Sequence, residues 1–430
     1  MKFRVVFLTA HAVAVFTAVG AAVTHWPQPS LPTSPLYNGL AKTPPMGWSS
    51  WNQFGDLINE TLIIETIDMM DKSGLRDAGF VFVNLDDGWQ RYKGNRSYHN
   101  GPIEADPVKF PKGIRYLSDY AHSKGFRFGI YNGPGQQTCA GYTGSEGHFE
   151  EDAATWASWG VDHLKFDSCC SEGITAPASR VEEIFRNMSK ALQATKRPII
   201  HHACHCGWAN VWKWAAKVGA NHWRIGQDIP DDFNYPGHRD NYYFDVLDML
   251  DRGKGLEKYS GPGHWNDYDM LIVGLNGKSS QLYGTGCSNI EYRTHFSMWC
   301  MVASPLLIGS DVRTLGPYDM ETLLNKEMIA ISQDPLGKAA ELVRDDPRIQ
   351  TELYMKEMSD GSPAIALLNR GTFTATMTVS PFRDLGKWWP KYKIRDVWKH
   401  EEQGVFNFTN PYTVEVAPHE AKILRITPMR

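Results

Sequence analysis

GVDHLKFDSCC, residues 160–170, reads as a glycine stop, a short buried strand from His163 to Asp167, and a polar end. Just before it, Phe149, Ala153 and Trp156 recur at helical spacing, and Gly160 closes that face. Helix then strand is one half of a repeating unit, and the same pairing recurs on both sides. FVFVNLDD (80–87) is another buried strand, followed by a helical face of Ile114, Leu117 and Ala121 that stops at Gly125, and by the strand FRFGIY (126–131). Downstream lie PIIHHA (198–203), HWRI (222–225), a segment near 265–270, and PLLIGS (305–310), while GWSSW (47–51) opens the series.

Alternating strand and helix implies a parallel sheet, and about eight units suit a (β/α)8 TIM barrel, with a doubly wound open sheet as the alternative. The placement of polar residues favours the barrel. Trp51, Asp86, Asp87, Tyr131, Lys165, Asp167, His205, Arg224, Asp228 and Asp269 all fall where strands end. In a barrel those C-terminal ends converge on one site. After QDPLGK (333–338) the pattern changes: FTATMTV (373–379) alternates, and YTVEV and KILRI are strand-like. The expected organisation is an α/β fold, with a barrel over residues 38–337 and an antiparallel β-sandwich over 338–430.

Lys2 and Arg4 precede an apolar run ending in small residues, so residues 1–22 read as a signal peptide, with a membrane anchor as the alternative. Sequons at Asn59, Asn95, Asn187 and Asn407 fit a secretory route. A secreted or vacuolar/lysosomal glycoprotein is expected, free of the membrane once the signal is cleaved. A formal net charge of −4 provides no basic field, so no nucleic-acid partner is expected. Seven cysteines leave at least one thiol unpaired within the chain, or pairing between chains. The 15 tryptophans are compatible with carbohydrate handling, and Trp is also ordinary core material.

On one strand Lys165 and Asp167 point the same way, so an ammonium sits beside a carboxylate and favours its ionised form, as a nucleophile requires. Arg224 and Asp228 follow another strand, whereas Asp231 and Asp232 read as solvated helix-start residues. Two carboxylates from different strand ends can hydrolyse a glycoside, one as nucleophile and one as general acid. Asp86 and Asp87 suit a divalent cation or a set of sugar hydroxyls. WNDYDM (265–270) keeps the cation in view, but no EF-hand loop or acidic triad accompanies it. PIIHHACHCGW (198–208) invites a metal reading too. Adjacent strand residues face opposite ways, however, so at most about three of its five donors could reach one ion, and no second ligand pair follows. No metal and no cofactor are expected.

In order along the chain, TPPMGWSSWNQF, NLDDGWQ, GIRYLSDYAHSKGFRFGIY, TCAGYTGS, GVDHLKFDSCC, HWRIGQDI, GPGHWNDYDML, ASPLLIGSDVR and ISQDPLGK resemble the melibiases of glycoside hydrolase family 27. That family centres on α-galactosidases and α-N-acetylgalactosaminidases. The resemblance implies an exo-acting retaining hydrolase that releases terminal α-D-galactose from oligosaccharides, polysaccharides or glycoconjugates. It implies Asp167 as nucleophile and Asp228 as acid/base. Asp86 and Asp87 would grip the 4- and 6-hydroxyls, Trp51 would form an apolar wall, and Tyr131, Lys165, Arg224 and Asp269 would complete the pocket. It also implies a Cys139–Cys169 disulfide and leaves the oligomeric state open, a homodimer included. Cys300 reads as a helix core residue.

The chain departs from the family at one place. Where members read C-E-W-G, it reads Cys204-His205-Cys206-Gly207, so His205 stands in for a glutamate that contacts the sugar near its 2-position, and bulky Trp208 follows. The stretch is therefore expected to be a rewritten pocket wall, with a disulfide from Cys204 or Cys206 to Cys287 as an alternative. Another pyranoside, such as a β-L-arabinopyranoside, is the alternative substrate, and a silent sugar-binding protein is the alternative outside enzymes.

Overall fold

The computed structural model describes residues 34–96, 101–169, 177–234, 244–280, 282 and 284–429. The signal-peptide reading of residues 1–22, and Cys170, lie outside them.

The chain runs β1 (Met46–Ser49), α1 (Trp51–Phe54), α2 (Glu60–Lys72), β2 (Phe82–Asn84), α3 (Gly113–Ser123), β3 (Arg127–Asn132), α4 (Phe149–Ser158), β4 (His163–Asp167), α5 (Ala178–Ala194) and β5 (Ile200–Cys204). Two short 3-10 segments follow, then β6 (His222–Arg224), α6 (Val246–Gly253), β7 (Trp265–Asp267), α7 (Asn289–Met301), β8 (Leu306–Ile308), α8 (Pro317–Leu323) and α9 (Lys326–Ser332). The strands lie in the order β7-β6-β5-β4-β3-β2-β1-β8, and every pair is parallel. A parallel bridge between Leu271 and Ile308 joins the two ends and closes the barrel.

Helix ends follow from local chemistry. The side chain of Asn59 accepts the Leu62 N–H at 2.9 Å and starts α2, whose Leu62, Ile63, Ile67 and Met70 are spaced to face the barrel. Ser288 and Glu291 form a capping box at the start of α7. That helix is buried almost all round because it has neighbours on two sides. The barrel covers one face. On the other, Thr294 Oγ1 accepts the Ala421 N–H at 2.9 Å, Ser297 Oγ accepts Trp398 Nε1–H at 2.9 Å, and the Cys300 carbonyl accepts from Lys356 at 3.0 Å. Cys300 is thus a core residue of a helix, as expected.

Those partners belong to the C-terminal region: β9 (Glu341–Asp346), β10 (Thr351–Lys356), β11 (Ala364–Asn369), β12 (Ala375–Val379), α10 (Pro381–Leu385), β13 (Lys391–Asp396), β14 (Glu401–Asn407), β15 (Tyr412–Val416) and β16 (Ala421–Met429). A six-stranded sheet, β14-β13-β16-β11-β10-β9, and the pair β12-β15 are antiparallel throughout. Leu353, Ile365, Leu367, Met377, Val379 and Ile426 form the core between them. Much of the tryptophan content is structural: Trp48, Trp89, Trp156, Trp223, Trp265 and Trp299 are fully buried. No helix among the described residues is long and apolar enough to cross a membrane.

Candidate active site

Strand parity builds the site. Lys165 and Asp167 share the inward face of β4, Tyr131 lies beside Lys165 on β3, and Arg224 ends β6. Each side chain lies at the C-terminal end of its strand, where a barrel opens. Lys165 Nζ donates to Asp86 Oδ2 at 2.8 Å and sits 5.2 Å from the centre of the Tyr131 ring. Arg224 divides its guanidinium between two carboxylates, Asp228 at 3.0 Å and Asp269 at 2.8 Å. Asp269 also accepts the Ile229 N–H at 2.8 Å, which fixes the segment carrying Asp228. To reach it, Asp269 takes a left-handed backbone at φ 77°, a conformation that costs a non-glycine residue about 1 kcal/mol or more.

One loop joins the acid pair to the nucleophile candidate. Asp87 accepts Thr138 Oγ1–H, the Ala140 N–H and the Gly88 N–H, each at 2.8 Å. Cys139 lies between those two loop residues and is disulfide-bonded to Cys169, two residues past Asp167. The Tyr131 hydroxyl donates to Cys139 Sγ at 2.9 Å, and the Cys169 N–H donates to Asp167 Oδ1 at 3.2 Å. The disulfide implied by the family resemblance is present.

The electrostatics follow from crowding acids around few cations. Burial pushes Asp87 and Asp269 up to about 7, against the hydrogen bonds of Asp87 and the Arg224 charge beside Asp269. Burial also raises Asp167, Lys165 opposes it, and the charges of Asp228 and Asp86 add to the rise. Asp228 goes the other way: burial would raise it, but Arg224 and Lys165 outweigh burial and hold it below the ordinary carboxylate range. Lys165 and Arg224 stay charged, because their aspartates outweigh the burial that would discharge them.

Most of the residues expected at the site are brought together: Asp86, Asp87, Tyr131, Lys165, Asp167, Arg224, Asp228 and Asp269. Trp51 opens α1 directly after β1, on the same rim. His205 is a correction. It is buried, with its ring centre 6.1 Å from that of Phe185 on α5 and 6.3 Å from that of Trp214, and its Nδ1 hydrogen-bonds Ser168 Oγ. The reason is parity: His202 and Cys204 face inward on β5, so residue 205 turns outward. Burial holds its imidazole down at about 4, hence neutral near pH 7. Trp208 is 49% exposed on the turn that follows.

Asp231 and Asp232 are not solvated. Asp231 accepts the Tyr292 hydroxyl at 2.8 Å and the Gly277 N–H at 2.7 Å, while Asp232 accepts the Thr285 N–H and hydroxyl. They anchor a long loop rather than start a helix. Cys204, Cys206 and Cys287 are unpaired thiols, so the alternative bridge to Cys287 is absent. Sequence reasoning placed Cys204 in the rewritten wall or in a disulfide to Cys287, and did not set it beside Asp167. Its thiol hydrogen-bonds the Asp167 carboxylate and also pairs with the Cys206 thiol, and that pairing with burial raises its pKa well above the ordinary thiol value. The same parity rule reveals it, since Cys204 is paired in register with Asp167.

Replacing His205 with Phe tests the corrected placement. The expected result is kcat/KM on an α-galactoside within about threefold of the parent and a loss of about 1 kcal/mol in stability from the broken Ser168 bond. A tenfold or larger fall in kcat/KM with unchanged stability would put the imidazole back on the sugar.

Two family models match the chain: alpha galactosidase A over residues 43–334, and the alpha galactosidase C-terminal beta sandwich domain over 349–426. An α-galactosidase from Cyamopsis tetragonoloba is 38% identical over 393 residues, covering 91% of this chain and 88% of its own. The crystal structure of α-galactosidase I from Mortierella vinacea superposes with a TM-score of 0.84 at 32% identity, over 91% of this chain and 98% of that one. The structure of a Saccharomyces cerevisiae α-galactosidase with raffinose gives 0.83 at 29% identity, over 92% and 100%.

Proposed function

The chain belongs to the melibiase family, glycoside hydrolase family 27, and is a galactose-releasing glycosidase; from that premise we propose that Asp167 and Asp228 carry out a retaining double displacement on terminal α-D-galactose. The observation that carries this reading is the contrast between the two carboxylates. Asp167 stands on the strand of Lys165 and receives hydrogen bonds from Cys169 N–H and Cys204, whereas Asp228 is 34% exposed and held by Arg224. The first is a buried, oriented nucleophile. The second faces the side from which a leaving group departs.

In the first step the Asp167 carboxylate attacks the anomeric carbon, the glycosidic C–O bond breaks, and the leaving oxygen takes the proton of Asp228. In the second, water gives its proton to Asp228 and its oxygen to the anomeric carbon, and Asp167 leaves as carboxylate. Both steps pass through positive charge at the ring, which Asp86 and Asp87 stabilise from the same face of the pocket that would hold the 4- and 6-hydroxyls. Lys165 fixes Asp86, and the disulfide loop fixes Asp87. The acid pair supports a sugar with an axial 4-hydroxyl and a 6-hydroxymethyl. With His205 turned outward, the main reason to expect another pyranoside is gone. The disulfide supports passage through an oxidising compartment, consistent with a secreted or vacuolar/lysosomal enzyme. A relative holding raffinose supports an oligosaccharide substrate.

Initial rates on p-nitrophenyl α-D-galactoside, β-L-arabinopyranoside, α-N-acetylgalactosaminide and α-D-glucoside test the substrate. The α-galactoside is expected to exceed each of the others by at least about 10²-fold, the scale of a few lost pocket contacts. A faster arabinopyranoside would overturn the assignment of Asp86 and Asp87 to galactose, and no turnover of any of the four would point to a binding protein.

A further inference from the structure

Beneath the catalytic aspartates, inside the barrel, three imidazoles meet. His163 starts β4, His202 lies mid-way along β5 and His222 starts β6; all are buried. His163 Nε2 and His222 Nε2 are 2.9 Å apart, and the rings of His202 and His222 stack at 3.9 Å. Asp267 on β7 closes the group, with Oδ2 3.0 Å from His222 Nδ1 and 3.1 Å from His202 Nε2. One nitrogen from each imidazole lies within 4.8 Å of the other two.

Hydrogen bonding does not account for all of these atoms. His222 Nδ1 hydrogen-bonds Asp267 Oδ2, and one proton lies between His222 Nε2 and His163 Nε2. That leaves His163 Nδ1 and both ring nitrogens of His202 buried without a hydrogen-bond partner, although His202 Nε2 lies 3.1 Å from Asp267 Oδ2. Three imidazoles that each bring a nitrogen within 4.8 Å of the other two, with a carboxylate on the far nitrogen of one of them, supply donors of the kind a borderline divalent transition ion takes. The charge balance points the same way. Asp86, Asp87, Asp167, Asp228, Asp267 and Asp269 gather around Lys165 and Arg224, and a dication would offset part of that excess.

We propose that His163, His202 and His222 form a structural site for one divalent transition ion of the zinc class, with Asp267 orienting His222 through its Nδ1–H. Metal–nitrogen bonds of about 2.0–2.1 Å at a tetrahedral angle place donors about 3.3 Å apart, so on binding the 2.9 Å His163–His222 spacing opens by a few tenths of an ångström and the stacked His202 and His222 rings, 3.9 Å apart, splay to aim both lone pairs at the ion. The carboxylate–histidine–metal arrangement fixes ring orientation. It also reaches the catalytic layer: Asp267 Oδ1 accepts the Asp269 N–H at 2.8 Å, and Asp269 holds Arg224, which holds Asp228. The site draws on three strands, so the spacing within PIIHHACHCGW did not reveal it. Only His202 of that run takes part.

Because the ligands are sealed in the core, the ion must enter as the chain folds. The test uses the full chain without a polyhistidine tag, produced with added Zn2+ and analysed by mass spectrometry for metals. One Zn2+ per chain is expected, retained by the native protein in EDTA and released once urea unfolds it. Refolding with Zn2+ should restore the ion and raise Tm above that of the EDTA-refolded protein, and refolding with Co2+ should give the visible absorption of a nitrogen-ligated tetrahedral site. His202→Ala and, separately, His163→Phe should lose the ion. Wild type carrying no ion after production or refolding with Zn2+ would overturn the proposal. An ion still present at full occupancy in either folded variant would overturn it too, by placing the metal elsewhere.

Discussion

Replacing Asp167 with Asn will lower kcat/KM on an α-galactoside by at least about 10⁴-fold, because the amide cannot form the glycosyl ester and the two-step route is lost. Galactose binding should survive. Asp86, Asp87 and Lys165 keep their own partners, since the Lys165–Asp86 and Thr138–Asp87 bonds do not pass through residue 167. Stability should hold or rise, because burial already disfavours the charge of Asp167 and the charges of Asp228 and Asp86 disfavour it further. Rates measured beside calorimetric binding of galactose separate the outcomes. Activity within tenfold of wild type would remove Asp167 from the nucleophile's role, and lost binding with an intact fold would make it a sugar-gripping residue.

Replacing Asp228 with Asn gives a different pattern. General acid catalysis is worth about 10²–10⁴-fold where the leaving group needs a proton. The loss should therefore reach that range on raffinose and be much smaller on p-nitrophenyl α-galactoside in the bond-breaking step. The pH profile should change as well. In the free enzyme Asp167 is raised and Asp228 lowered, so of the singly protonated forms of the pair the favoured one carries its proton on Asp167. The reactive form, with Asp167 ionised and Asp228 protonated, is the minor one. Removing the Asp228 charge takes away one of the influences that raise Asp167. In wild type the acid limb of kcat/KM is set by the more acidic site, Asp228, and the alkaline limb by Asp167; with Asn at 228 only Asp167 titrates, so the acid limb moves up to the pKa of Asp167 and the alkaline limb disappears. Equal losses on both substrates, or an acid limb moved downward, would contradict the assignment.

Much of this site was legible because barrel strands obey parity. Lys165 and Asp167 on one face of HLKFD predicted their shared environment, and the clustering of polar residues at strand ends predicted convergence. His205 failed for the same physics left unapplied. Its family-equivalent position suggested a pocket wall, but with Cys204 inward the next residue must turn toward α5, where Phe185 and Trp214 receive it. Asp231 and Asp232 failed for another reason. Local sequence showed two acids before a helix, while their partners, Tyr292, Gly277 and Thr285, are far away in the chain. The left-handed turn of Asp269 was likewise hidden, because a non-glycine residue gives no local sign of it.

The most direct test of the whole account is to trap the intermediate. A 2-deoxy-2-fluoro galactosyl donor with an activated leaving group slows both steps, and a good leaving group lets the first outrun the second. Mass spectrometry of peptic peptides should then find one fluorogalactosyl group, on the peptide bearing Asp167 and on that carboxylate. Label on Asp228, or inactivation without any covalent sugar, would contradict the account.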